Sequence, residues 1–140
     1  MIYIKRGVEM ELDTKQKVLI AIYTEYQNDI PNMTKAITFK ELGLESDIFK
    51  IAIDKLQNEG FIKGATIHYD GNTYLPSVAN VSNVKMTRYG IEYVEEKLDI
   101  TRTMNGKEKT ETVFKRLTSS GLEHLKDLAA KTLAEMAKQP

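Results

Sequence analysis

At Gly60 the apolar spacing of the chain changes period, and that change limits the fold more than any other feature. Before it, "SDIFKIAIDKLQNEG" repeats apolar residues at helical intervals: Ile48, Phe49, Ala52, Ile53 and Leu56 fall on one face, Ser46 is the expected cap and Gly60 the stop. After it, "FIKGATIHYDGNTYLP" carries Phe61, Ile67, Tyr69, Thr73 and Tyr74, which favour strands, around a turn at Asp70-Gly71-Asn72. A helix that runs directly into a hairpin has to share one core with it. The expected class is therefore α+β.

Upstream, "LDTKQKVLIAIYTEYQ" predicts a first helix, opened by Asp13 and Gln16 as a capping box and carried by Val18, Leu19, Ile22 and Tyr26. Pro31 in "NDIPNM" breaks it. "TFKELG" predicts a second, very short helix from Thr38, answered by Glu41 and stopped at Gly43. Helix, short helix, turn and third helix is the order of a helix-turn-helix unit. Downstream, "SVANVSN" is expected to be irregular and "VKMT" to form the strand that closes a small antiparallel sheet.

The segment "KMTRYGIEYVEEKL" then places apolar Met86 before Thr87, Gly90 three positions later, and Ile91, Val94 and Leu98 at helical spacing. Thr87 suits a helix cap, and Gly90, having no Cβ, lets the helix start lie against the sheet it has left. A looser echo, "RLTSSGLEHLKDLA", follows at 116–129. Between the two, "ITRTMNGKEKTET" holds an Asn105-Gly106 hairpin signal, whereas Val113, Phe114 and Leu117 favour a helix after Gly106; helix is preferred. "LEHLKDLAAKTLAEMAK" carries a stripe of Leu122, Leu125, Ala129, Leu133 and Met136, which either packs on the same domain or forms a dimer seam. The division is an N-terminal extension over 1–12, a domain over 13–98 and a mostly helical extension over 99–140. The codons for Lys5 to Glu9 would suit a ribosome-binding stretch, so translation is expected to begin at Met10.

Composition removes several function classes. Lys+Arg and Asp+Glu are both 20, so no whole-molecule field draws the chain to a polyanion. Without cysteine there is no disulfide, thiolate nucleophile or cysteine-bearing zinc site, which fits a reducing cytoplasm. No apolar run is long enough for a membrane span, and the start "MIYIKRGVEME" lacks the apolar region of a signal peptide. His68 and His124 have no ligand-spaced companions, "GNTYLP" and "NGKEKT" lack phosphate-loop spacing, and the carboxylates of "VEEK" point to different azimuths. The chain is expected to be no enzyme and to need no cofactor or metal.

The "LG" that ends the short helix, the "NEGFIKG" junction and "SNVKMTRYGIEYVEE" together resemble a winged helix-turn-helix protein and, more closely, the small bacterial and prophage family YjcQ. The resemblance runs from about Asp13 to Leu98 and implies a winged-helix fold (three-helix core, small antiparallel wing) in a cytoplasmic protein of unsettled role, with no catalytic motif to transfer. The region after Leu98 is longer than the family pattern.

By analogy with helix-turn-helix docking, the third helix and the wing would meet duplex DNA. The face opposite Phe49, Ala52 and Leu56 carries Asp47, Lys50, Ile51, Asp54, Gln57 and Asn58, and residues 38–98 hold seven basic against nine acidic side chains. DNA binding is thus expected to be weak, through Lys50, Gln57, Asn58 and Lys63. The alternative is a protein-interaction module in a phage assembly or regulatory complex, with Ile51, Tyr69, Tyr74, Leu125 and Met136 as contacts and a homodimer through the C-terminal helix. Basic residues Lys107, Lys109, Lys115 and Arg116 cluster in the tail, as either a solvated helix surface or a phosphate patch.

Overall fold

In the computed structural model, described over residues 11–71, 74–117 and 121–138, the chain is α+β. Helix α1 (Thr14–Tyr26) opens as the sequence predicts: Asp13 accepts from the Gln16 amide at 2.8 Å, and the Gln16 side chain accepts from the Asp13 N–H at 2.9 Å. Its middle, from Val18 to Glu25, is buried without interruption. A helix apolar on all sides needs cover on all sides. That cover comes from α3 (Ser46–Asn58), α4 (Arg88–Lys97) and α6 (Glu123–Ala137), with α5 (Gly106–Arg116) packed on α6. Residues from every one of these helices join one hydrophobic cluster, in which Ile22, Ile53, Leu56, Val94, Val113 and Ala129 are fully enclosed or nearly so.

The short second helix is displaced from its expected place. Helix α2 is Met33–Ala36, just after Pro31, and the Asn32 side chain caps it by accepting from Lys35 N at 3.2 Å. Thr38–Gly43 is a single closed turn: Thr38 Oγ1 accepts from Glu41 N at 3.0 Å, and Leu44 N donates to Phe39 O at 2.9 Å around Gly43 in the left-handed region. Both segments carry cap signals; Pro31 stops α1 but leaves Asn32 free to start a new turn. At α3, Ser46 is the first helical residue and the cap position belongs to Glu45, which makes no side-chain cap bond. Ile48 lies off the core face and is 43% exposed.

The strands form one long arm broken in its middle. β1 (Ile62–Lys63) pairs antiparallel with β4 (Lys85–Met86), and β2 (Thr66–His68) pairs with β3 (Val78–Asn80). The returning strand is thus Val78–Asn80, within the stretch expected to be irregular, and not at Tyr74–Pro76; Asn72 and Thr73, also expected in the turn and return strand, lie outside the described residues. Ile67 and Ala79 face the core in register, which selects this pairing. At the break, residues 64–65 on one side oppose 81–84 on the other. A Cβ on Gly64, at φ +89°, would sit 2.1 Å from the Asn83 carbonyl oxygen.

The junction to α4 bears out the reading of "KMTRYG". Thr87 Oγ1 accepts from Gly90 N at 3.0 Å and donates to Gly60 O at 2.6 Å, so one hydroxyl joins the end of the α3 turn to the start of α4. A Cβ on Gly90 would lie 2.1 Å from the Phe61 carbonyl oxygen. The echo at 116–129 is built differently: Gly121 precedes α6 in the left-handed region and has open space around it, whereas Gly90 lies inside its helix; Thr118 is outside the described residues. Residues 1–10, including the expected start at Met10, are also outside them.

Helix prevails over hairpin at 106–116, where Asn105 and Glu108 complete a second capping box at 2.8 and 3.0 Å. A buried polar triad secures this helix: Tyr23 Oη donates to Glu95 Oε2 at 2.8 Å and Lys109 Nζ to the same oxygen at 2.6 Å, linking α1, α4 and α5. Burial, followed by the Glu95 hydrogen bond and charge, raises the Tyr23 pKa far above its ordinary value.

Two outcomes follow. Gly90→Ala should lower stability by about 3 kcal/mol through forced displacement of backbone, read as a lower urea midpoint. Because the Tyr23 phenol is held protonated in the fold, its contribution is complete below its unfolded pKa of about 10 and falls as pH rises beyond it. Wild type should therefore lose stability relative to Tyr23→Phe in denaturant titrations carried above that pH.

Candidate nucleic-acid and partner interface

The exposed side of α3 is tied to the hairpin. Gln57 Nε2 donates to Ala65 O at 2.9 Å and Gln57 Oε1 accepts from Ala65 N at 2.7 Å, so both ends of the amide pin the chain between β1 and β2. Tyr69 Oη donates to Asp54 Oδ2, and Asn58 Nδ2 approaches Asp54 Oδ1 at 3.4 Å. Gln57, the expected base reader, is thus also a clamp, its amide plane fixed by Ala65 with one N–H and one lone pair left over. Lys50 and Ile51 are half-buried, Asn58 and Lys63 exposed.

Basic side chains come together elsewhere. Lys63 and Lys85 are direct partners in the β1–β4 ladder and both are exposed, on the side away from Ile62 and Met86. Residues opposite each other in an antiparallel pair share a face, and like charges so placed repel. The Arg88 side chain, three residues on, is 84% exposed and reaches Glu92 only at 4.0 Å. Lys85 carried no signal of its own in the chain; it matters because the register sets it against Lys63.

The tail cluster disperses. Lys109 is consumed by Glu95, and Arg116 donates from Nε to Leu98 O at 2.8 Å while its Nη2 lies 3.6 Å from Asp99 Oδ2. Lys107 and Lys115 remain exposed. A solvated helix surface with structural ties describes these four residues better than a phosphate patch.

Of the residues expected to meet a protein partner, Leu125 is 5% exposed and belongs to this chain's own core, so it has no face to offer a second copy; Met136 is half-buried. The apolar stripe of α6 is turned on α1 and α5, with Leu128 and Thr132 buried beside Leu125 and Ala129. Tyr74 at 78%, Tyr89 at 56% and Val78 at 46% are the larger exposed apolar groups on and beside the hairpin, with Tyr69 at 37%. Tyr89 stacks on Phe61 with centroids 4.9 Å apart. His68 is exposed on β2, and the His124 ring lies against Gly43, where a Cβ would come within 2.5 Å of it. Among the described residues no three metal-type side chains gather, and no helix is long and apolar enough to cross a membrane.

A family model described as YjcQ protein matches residues 16–110, more than half of the chain. The chain belongs to the YjcQ family. The match passes the end of α4 and takes in the first turn of α5, including Lys109. No curated protein and no solved structure matches it.

Gln57→Ala in this YjcQ protein should lower stability by roughly 2 kcal/mol, because it strands the Ala65 N–H and C=O together. Hydrogen exchange at the Ala65 amide should speed up with it, a change that a side chain serving only to read bases would not produce.

Proposed function

We propose that this YjcQ protein is a winged helix-turn-helix module of bacterial prophage or phage type that touches duplex DNA through its backbone phosphates and catalyses nothing. The helix-turn-helix element order and the broken β arm support the winged-helix reading, and the family resemblance supports the prophage one. The observation that carries DNA contact is the exposed Lys63–Lys85 pair. Two ammonium groups on one face repel until an anion lies between them, and a phosphate is the anion that a duplex supplies in series.

The contact is of a restricted kind. Gln57 is committed to Ala65 and Asp54 to Tyr69, so α3 contributes Lys50 as an anchor and little that distinguishes one base pair from another. Asp47 and Asp54 beside it oppose close approach to DNA. Affinity comes from few cations and is weak and sequence-tolerant.

A second reading, a protein-interaction module, is favoured by the exposure of Tyr74, Tyr89 and Val78 about the same arm.

Fluorescence anisotropy on a random duplex at low salt separates the two. If Lys50, Lys63 and Lys85 each neutralise a phosphate, log K should fall by roughly 2.7 per decade of salt, and the double change Lys63→Glu, Lys85→Glu should remove about two thirds of that slope. A flat signal at high protein concentration and low salt would reject DNA contact and leave the interaction module.

A further inference from the structure

Six polar or charged side chains are buried among the described residues, and half of them meet in one place. Elsewhere Thr24 and Thr110 donate to the carbonyls of Ile20 and Gly106, each at 2.8 Å, and Glu95 is held by Tyr23 and Lys109. The remaining three, Glu25, Asn28 and Thr132, line a cleft of about 480 Å³ between the end of α1, α2 and α6. Thr132 is 2% exposed and, unlike Thr24, Thr110 and Thr112, does not bond the carbonyl one helical turn back; its Oγ1 has no partner. Asn28, 8% exposed, gives its Nδ2 to Glu25 O at 3.1 Å and leaves Oδ1 without one. Buried polar atoms are rarely left so.

The chemistry of this floor is one-sided. Glu25 offers a carboxyl that accepts from Asn32 N at 2.8 Å, Asn28 offers a carbonyl oxygen, and Thr132 a hydroxyl. An anion here would face the Glu25 carboxylate with only the Thr132 hydroxyl to donate to it; a group rich in N–H can donate to the carboxylate, the Asn28 oxygen and the Thr132 oxygen alike. At the rim, Lys131 is engaged by Glu41 at 3.0 Å, Lys35, Glu135 and Lys138 add charge of both signs, and Ile30, 85% exposed, with Leu128, Ala36 and Ala134 supplies apolar wall. The volume is that of a small-molecule site, while the lining is more polar than is usual for one, as a charged ligand with a short apolar chain would require.

We propose that this cleft binds a small organic cation whose ammonium or guanidinium head donates to Glu25, Asn28 and Thr132 and whose chain lies along Leu128 and Ile30. The two unpaired oxygens lie just beneath the floor of the ligand-free form, so binding includes a side-chain adjustment of Asn28 and Thr132. The proposal is independent of the nucleic-acid reading: none of these residues belongs to α3 or the hairpin. Burial, with the nearby Glu135 charge, raises the pKa of the Glu25 carboxyl against the pull of Asn32 N–H, Asn28 and Lys35.

The test uses the full chain, nitrogen-15 labelled, with agmatine as the cationic probe and glutarate as an anionic control of similar length, both at neutral pH. Agmatine should give saturable shifts at the Asn28 side-chain amide and the Thr132 N–H at millimolar concentration or below, and glutarate should not. Glu25→Gln, which keeps an acceptor for Asn32 N, should weaken agmatine by roughly tenfold or more. Should that variant fold poorly, the isosteric Thr132→Val should also weaken it. Absence of saturable shifts, an equal response to glutarate, or undiminished binding in the folded variants would overturn the proposal.

Discussion

Everything in this protein is arranged around the need to cover α1 on every side. From Val18 to Glu25 no residue of that helix reaches solvent appreciably, and "VLIAI" places apolar groups at all azimuths within little more than one turn. A three-helix core with a small sheet supplies cover from α3, α4 and β4; α6, with α5 packed against it, supplies another wall. Burial of such a helix contributes on the order of 2 kcal/mol for each large side chain, and leaving one wall open would forfeit several of these. Residues beyond Leu98 are for this reason part of the same interior: Val113, Leu117, Leu125 and Ala129 are enclosed in it.

Polar groups drawn into this interior divide into two kinds. The Tyr23–Glu95–Lys109 triad is closed: each partner satisfies another, so the two burial costs and the attraction offset one another and the result fixes α5 against α1 and α4. On the opposite face of the same last turn of α1 the Glu25, Asn28 and Thr132 group is open, with an amide oxygen and a hydroxyl unmet. Closed networks specify geometry, whereas a buried polar group left unmet is costly and calls for an explanation, which the proposed cationic ligand supplies. The same turn of the helix thus serves as a structural joint on one face and as the wall of a cleft on the other.

The hairpin shows how packing constrains function. The twofold hydrogen bond of Gln57 to Ala65, with the Tyr69–Asp54 contact, clamps the arm to α3 and consumes polar groups that a base-reading helix would present. What is left outward is charge placed by strand register, Lys63 against Lys85, and aromatic surface at Tyr74 and Tyr89. A surface of that kind suits contacts that do not depend on reading a sequence.

Local chemistry alone determined a good part of this chain. The Asp13–Gln16 and Thr87–Gly90 signals set where α1 and α4 begin because a cap is satisfied within a few residues, and Gly60 marks the change from helix to strand because that change lies in the spacing itself. Long-range choices needed the folded chain. Asn32 and Thr38 carry equivalent cap chemistry, and only packing made α2 from the first and a lone turn from the second; the return strand went to Val78–Asn80 because its register buries Ala79 beside Ile67. Likewise Gln57 read as an outward amide, since helical phase shows where a side chain starts but not which distant backbone it meets. Which surfaces remain for a partner, and the convergence of Glu25, Asn28 and Thr132 from residues a hundred positions apart, were decided by tertiary packing, because burial is a property of neighbours and the neighbours are not adjacent in the chain.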